Sequence, residues 1–179
     1  DLEAMTIAPD EPRLHVQRGI ALRQMREYEA ALESFEKALA LDADYVRAHE
    51  QMALARHQLG HGEEAIAQLE VVVERMPDEL ELVMALGELH ASNGRLEAAG
   101  EQFLRATELS PDDSLAHARL GGNCVRRDLI DEGMESLRRS LEIEPKMPLA
   151  LFELARALQQ ENEWSESLAM YQKFLELKP

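Results

Sequence analysis

Residues 80–113 read LELVMALGELHASNGRLEAAGEQFLRATELSPDD, and this stretch decides the fold. Its apolar residues form two blocks at helical spacing: Leu82, Leu86 and Leu89, then Leu96, Ala99, Phe103 and Ala106. Between the blocks sits Asn93-Gly94, where glycine can close the first helix in a left-handed conformation. Pro111 stops the second helix, and Asp112 is placed to cap the next one. The unit is therefore a helix–turn–helix hairpin of 34 residues.

The same pattern recurs on both sides of it. Pro77, Pro111, Pro145 and Pro179 are each 34 residues apart, and stepping back reaches Ala43 and then Pro9. Asp10, Asp44, Asp78 and Asp112 follow the same interval until Lys146 breaks the series. Small residues recur at Ala31, Ala65, Ala99, Gly133 and Ser167. Four residues further on stand Phe35, Leu69, Phe103, Leu137 and Tyr171. Leu86-Gly87, Leu120-Gly121 and Leu154-Ala155 form another column, with Met52-Ala53 and Arg18-Gly19 as weaker members. Gly87, Gly121 and Ala99 are small where two helices must cross closely, and Phe103 fills the space beside them. A second turn signal, Gly60-His61-Gly62, lies in the preceding unit.

This register resembles the tetratricopeptide repeat family, whose unit combines a Leu-Gly pair, a mid-hairpin Ala, an aromatic four residues later and a terminal Pro. The resemblance implies an all-α fold of tandem helix-turn-helix hairpins stacked in a right-handed α-solenoid superhelix. It divides the chain into residues 12–45, 46–79, 80–113, 114–147 and 148–179, preceded at 1–11 by the tail of a truncated repeat. That tail is read from Ala4-Met5, Ile7 and Pro9, which match Ala38-Leu39, Leu41 and Ala43. The chain departs from the family pattern at His15, His49 and His117, with Val83 and Leu151, where a large aromatic often opens the first helix. Arg18 stands where Leu is usual, and Val72, Ser140 and Phe174 stand where Ala is usual.

Composition excludes several functions. Aromatics are only 4% of the chain, so the core must rest on Ala, Leu, Val, Ile and Met. A net charge of −16 argues against nucleic acid and against an anionic membrane surface, both of which need clustered cations. The acidity reads as a solvated, self-repelling exterior. No apolar stretch approaches the length that spans a bilayer, so no membrane insertion is expected. A cytoplasmic location is the working expectation.

Candidate chemistry is sparse. Cys124 is the only cysteine and falls on an apolar stripe, in a column with Leu22, Arg56, His90 and Leu158. It reads as a small core residue with no base beside it. His57 and His61 have the spacing of two metal ligands, but Leu59-Gly60 marks a helix end between them and no third ligand is in sight. His15, His49 and His117 lie too far apart to share one ion and read as helix-face residues. Glu63-Glu64 and Glu97 open second helices, where negative charge is favourable. Gly121-Gly122 lies inside a helix and cradles no phosphate. No catalytic residue, metal or cofactor is assigned.

The resemblance places partner binding in a concave groove lined by the first helices. Carried over by position, the groove takes Arg13, Val16, Ile20, Arg23 and Gln24, then Arg47, Glu50, Leu54, His57 and Gln58. Next come Glu81, Met84, Glu88, Ala91 and Ser92. Leu115, Ala118, Gly122, Val125 and Arg126 follow, then Leu149, Phe152, Arg156, Gln159 and Gln160. Arg13, Arg23, Arg47, His57, Met84, Glu88, Arg126, Phe152 and Arg156 are the candidate contacts. Five arginines against three glutamates make this set net positive within a chain of net charge −16. An acidic peptide or helix would meet the arginines; the other reading is that they balance nearby glutamates. The Lys and Asn set of the chaperone-tail-binding subfamily finds no register, reading Val16, Ile20, Gln51, Glu81 and Ala85 in one of them.

The expected function is a non-catalytic interaction module or scaffold for a protein or peptide. The alternative is a regulatory or substrate-recruiting arm of a larger enzyme, such as a glycosyltransferase- or sulfotransferase-like one. A third reading is self-association through the C-terminal repeat, where Phe152, Trp164, Tyr171 and Phe174 hold half of the aromatics.

Overall fold

The computed structural model describes residues 11–177, and its ordered elements are all helices. The expected hairpin tail at Ala4, Met5, Ile7 and Pro9, with Asp10 and Pro179, lies outside them. In chain order the helices are α1 (Pro12–Gln24), α2 (Tyr28–Leu41), α3 (Val46–Gln58), α4 (Gly62–Arg75) and α5 (Leu80–Ser92). They continue as α6 (Leu96–Leu109), α7 (Ser114–Arg126), α8 (Ile130–Ile143), α9 (Pro148–Gln160) and α10 (Trp164–Glu176). Each is only 13 or 14 residues long, which is marginal for an isolated helix, so packing must hold it.

The turns inside the hairpins are alike. Arg26, Gly60, Gly94, Asp128 and Asn162 all have positive φ, between 63° and 89°, and stand 34 residues apart. Each closes its helix in the same way. The Glu27 N–H donates to the Leu22 carbonyl at 2.9 Å, as His61 does to Arg56 at 3.0 Å and Leu129 to Cys124 at 2.9 Å. This is a Schellman closure, which needs a left-handed residue just past the helix end. The sequence showed the two glycines; the other three positions carry side chains in a conformation that costs an ordinary L-residue about 1 kcal/mol. Arg26→Gly should therefore gain about 1 kcal/mol in urea unfolding, less the entropy glycine adds to the unfolded chain. Asn162→Gly should gain close to nothing, because Asn tolerates this region. A loss at Arg26→Gly would show that its side chain holds the turn in some other way.

The recurring aspartates do not behave as expected. The helix α7 begins at Ser114, so its N-cap is Asp113, whose carboxylate accepts from the Ala116 N–H at 2.7 Å. Tyr45 holds the equivalent place before α3 and supplies no side-chain cap. Asp44 and Asp112 stand one residue too early to cap, and they pair with arginines instead. Asp112 accepts from Arg139 at 3.0 Å, and Asp44 pairs with Arg75. These exposed ties bridge the start of a first helix to the second helix of the same hairpin, and such pairs contribute about 0.2–1 kcal/mol each.

The contacts fall into two compact units, one up to Leu89 and one from His90 onward. In the first unit α1 packs on α2, α2 on α3 and α3 on α4, while α1 also touches α3. Val16, Ala31, Phe35, Ala38, Ala48, Met52 and Ala55 are buried together. In the second unit α6 packs on α7, α7 on α8, α8 on α9 and α9 on α10, with α7 also touching α9. Its core cluster is Ala118, Val125, Leu137, Ala150, Leu154, Ala157 and Leu158. Alanines make up much of both cores, which lets the helix axes approach while leucine and phenylalanine supply the buried area. Ser140, in an alanine column, is fully buried because its hydroxyl donates to the Ser114 carbonyl at 2.7 Å.

Two histidines have a task that the sequence did not reveal. The His49 ring meets the Ala43 carbonyl through Nε2 at 2.8 Å, and His117 meets the Pro111 carbonyl at 2.9 Å. Each ring latches the turn that precedes its own helix. They are placed on the helix face, but they act on the loop.

Candidate partner-binding face

Within each unit, first helices touch first helices, so residues on their shared side form a continuous surface. On α3, Arg47, Glu50, Leu54, His57 and Gln58 recur at helical spacing on one side. In the first unit Arg13 and Arg47 are exposed, while Ile20, Arg23, Glu50, Leu54, His57, Met84 and Glu88 are half-buried. Arg23 Nε and His57 Nδ1 are shielded from solvent and have no hydrogen-bond partner. In the second unit Arg126 is exposed and its Nη2 donates to the Ala91 carbonyl at 3.2 Å. Phe152 is 39% exposed and Arg156 half-buried.

Four positions carried over by analogy are floor rather than contact surface. Val16, Ala118, Gly122 and Val125 are buried and cannot meet a partner. Gly122 lies under the side chain of Glu153, 3.3 Å from where a Cβ would stand. Glu153 in turn accepts from Arg156 Nη1 at 2.9 Å, with its own side chain only 14% exposed. Arg156 is thus already balanced by a neighbour one turn away, a pairing that spacing alone could have suggested.

The first unit is electrostatically mixed. Burial pushes the Glu50 carboxyl above the ordinary carboxylate value; a hydrogen bond from Gln51 opposes this, the charges of Glu81 and Glu88 add to it, and Arg47 opposes it. A raised folded-state value means that the protonated carboxyl favours the fold. That contribution is complete below pH 4.5, the ordinary value, and is lost as pH rises through the raised one. Glu50→Gln should therefore raise the thermal midpoint of the first unit at pH 7, and the gain should vanish below pH 4.5. Melting curves at the two pH values check this.

Elsewhere the reactive groups stay quiet. Cys124 is buried and free, and burial pushes its thiol up, with Arg127 pulling it down and Glu132 pushing it up further. A protonated, covered thiol suits a core position. His57 and His61 do not share a helical turn: Gly60 reverses the chain between them, and His61 Nδ1 lies 3.4 Å from Glu64. Among the described residues no three metal-binding side chains come together. No described helix is long and apolar enough to cross a membrane.

Stacked hairpins closed by identical turns, with small residues at the crossings, match one repeat family in sequence as well. A TPR repeat model matches residues 19–60, and tetratricopeptide repeat models match residues 50–114 and 150–179. The chain is a tetratricopeptide repeat protein. The family's fold is that of a protein–protein interaction module. No curated protein sequence matches the chain. Among solved structures, PilF of Pseudomonas aeruginosa is 21% identical, covers 92% of this chain and 75% of its own, and has a TM-score of 0.81. TTC0263 of Thermus thermophilus, a thermophilic TPR protein, is 26% identical over 94% of this chain and 92% of its own, with a TM-score of 0.77. YrrB, a TPR protein with an unusual peptide-binding site, is 21% identical over 92% of this chain and 85% of its own, with a TM-score of 0.68. These likenesses establish the tetratricopeptide hairpin fold.

At the C-terminal hairpin, the Phe152 ring packs against Tyr171 at 6.0 Å and Phe174 at 5.6 Å, so three of the four aromatics are spent on one another. Trp164, Leu168 and Leu175 of α10 remain 60%, 59% and 64% exposed.

Proposed function

We propose that this protein is a non-catalytic interaction module of five 34-residue repeats, at 12–45, 46–79, 80–113, 114–147 and 148–179, that holds a peptide or helix of a partner against its first helices. The mixed charge of the first unit carries this reading. Exposed Arg13 and Arg47 with half-buried Arg23 offer sites for carboxylates, and Glu50 with exposed Glu81 offers a place for a cation. The preferred partner is an acidic segment carrying a basic residue, with an apolar group for half-buried Met84. Peptide display on the whole chain tests this. Selected sequences should be rich in Asp and Glu, and reversing Arg13, Arg23 and Arg47 to Glu should shift the selection toward Lys and Arg. Selection that ignores the triple reversal would refute the groove as the binding site.

A second reading rests on α10, where Trp164, Leu168 and Leu175 form an exposed apolar stripe suited to self-association. Sedimentation of the whole chain across a concentration series decides it, since a strict monomer at high concentration removes it. A third, an arm of a larger enzyme, would use the same face and is decided by the full reading frame.

A further inference from the structure

The first unit holds a recess on the side of α3 that adjoins the one carrying Arg47, Glu50 and His57. It has a volume of about 430 Å³, within the range that accommodates small organic ligands. Its apolar walls are Leu39 of α2, Met52 and Ala53 of α3, and Val71 and Val72 of α4. His49, fixed by its hydrogen bond to the Ala43 carbonyl, and Arg56 with Gln68 supply the polar part of the lining.

Three repeat columns depart from their usual chemistry at this one place. The Val71 column otherwise holds Lys37, Arg105, Arg139 and Lys173, yet Val71 is apolar and 58% exposed. Beside Ala169 in α10, the Ala67 column holds Glu33, Glu101 and Glu135 in α2, α6 and α8. Those helices thus carry an acid and a base four residues apart on their outer side, a solubilising and helix-stabilising arrangement. Helix α4 has Ala67 and Val71 in their place. The third column runs Leu22, Arg56, His90, Cys124 and Leu158, so α3 alone places an arginine there. Arg56 is half-buried, its partner is the neutral side-chain carbonyl of Gln68, and no carboxylate among the described residues pairs with it. The Arg56 guanidinium at the edge of the recess has no anion beside it, and an exposed valine in a lysine and arginine column does nothing for solubility. Together they make a recess with apolar walls and one uncompensated cation.

We propose that this recess binds a small carboxylate with an aliphatic tail. The carboxylate pairs with the Arg56 guanidinium, and the tail lies on Leu39, Met52, Val71 and Val72. Both anomalies are then accounted for: the cation gains its anion, and the apolar rim is covered. The site is separate from the partner-binding face and stands or falls independently of it.

Octanoate is a suitable probe, with octanol and octylamine as controls of equal tail. Methyl NMR of the whole chain should show saturable octanoate-induced shifts confined to Met52, Val71, Val72 and their neighbours. Octanol should bind about tenfold more weakly, the effect of one charge-assisted pair, and octylamine should not bind. Arg56→Gln should reduce octanoate affinity to that of octanol while leaving octanol unchanged. The double substitution Ala67→Glu with Val71→Lys copies the sister helices and so preserves the fold; it should abolish binding of both. The proposal is overturned if octanoate gives no saturable shift, if octanol binds as well as octanoate, or if the shifts gather on the exposed stripe of α10.

Discussion

Replacing Gly121 with Val should cost about 3 kcal/mol and unfold the second unit first. A Cβ at Gly121 would stand 2.6 Å from Leu137 Cγ and 2.7 Å from the Gly133 carbonyl oxygen. The relation is mutual, since a Cβ at Gly133 would stand 2.7 Å from a Val125 methyl and 3.0 Å from the Gly121 carbonyl oxygen. The helices α7 and α8 therefore meet backbone to backbone, glycine on glycine. Two effects compete in the milder variant, Gly121→Ala. Alanine favours a helix over glycine by about 1 kcal/mol, but the clash is with a carbonyl oxygen, which cannot rotate away as a side chain can. The clash should win, and both variants should unfold at lower urea than the parent. A neutral Gly121→Ala would mean that α8 can slide outward without losing the burial of Leu137.

The second large loss is expected at Phe35→Ala, about 3–5 kcal/mol. Phe35 is fully buried, and its ring occupies the space that a side chain at Gly19 would need. Val16, Ala38, Ala48 and Met52 surround it, so a cavity there could close only by moving three helices. Tyr171 occupies the same column, yet Tyr171→Ala should cost far less. Its ring is half-buried, touches Phe152 edge-on and has a long hydrogen bond from its hydroxyl to Gln159 at 3.3 Å. Chemical denaturation of the two variants side by side tests the contrast. Equal losses would mean that position in the repeat, and not the neighbours that cover it, sets the energy. In arrays of this kind each unit is stabilised by those beside it, so coverage should dominate.

The fold was legible because its signals are local and repeated. Apolar spacing of three and four marks a helix anywhere, and a column such as Ala31, Ala65 and Ala99 is fully buried in each unit for one steric reason. The side-chain ties were harder to see. Asp112 looked like a cap because it follows a proline, but the helix starts two residues later, and Arg139 on another helix claims the carboxylate. The candidate face was legible as a list of positions and not as a surface. Which of those positions are covered depends on side chains from the next hairpin, as Glu153 covers Gly122, and no periodicity within one repeat records that. The recess beside Arg56 left its mark in the columns all along. It is visible only when Val71, Ala67 and Arg56 are known to face the same space.

The five left-handed turns at Arg26, Gly60, Gly94, Asp128 and Asn162 have a practical consequence. All five side-chain positions are exposed and belong to neither helix of their hairpins. They are evenly indexed attachment points along the chain, suited to fluorophores, cross-linkers or inserted peptides. A cysteine scan of these sites, in a Cys124→Ala background, would turn the protein into a graduated ruler on which the location of a bound partner can be read directly.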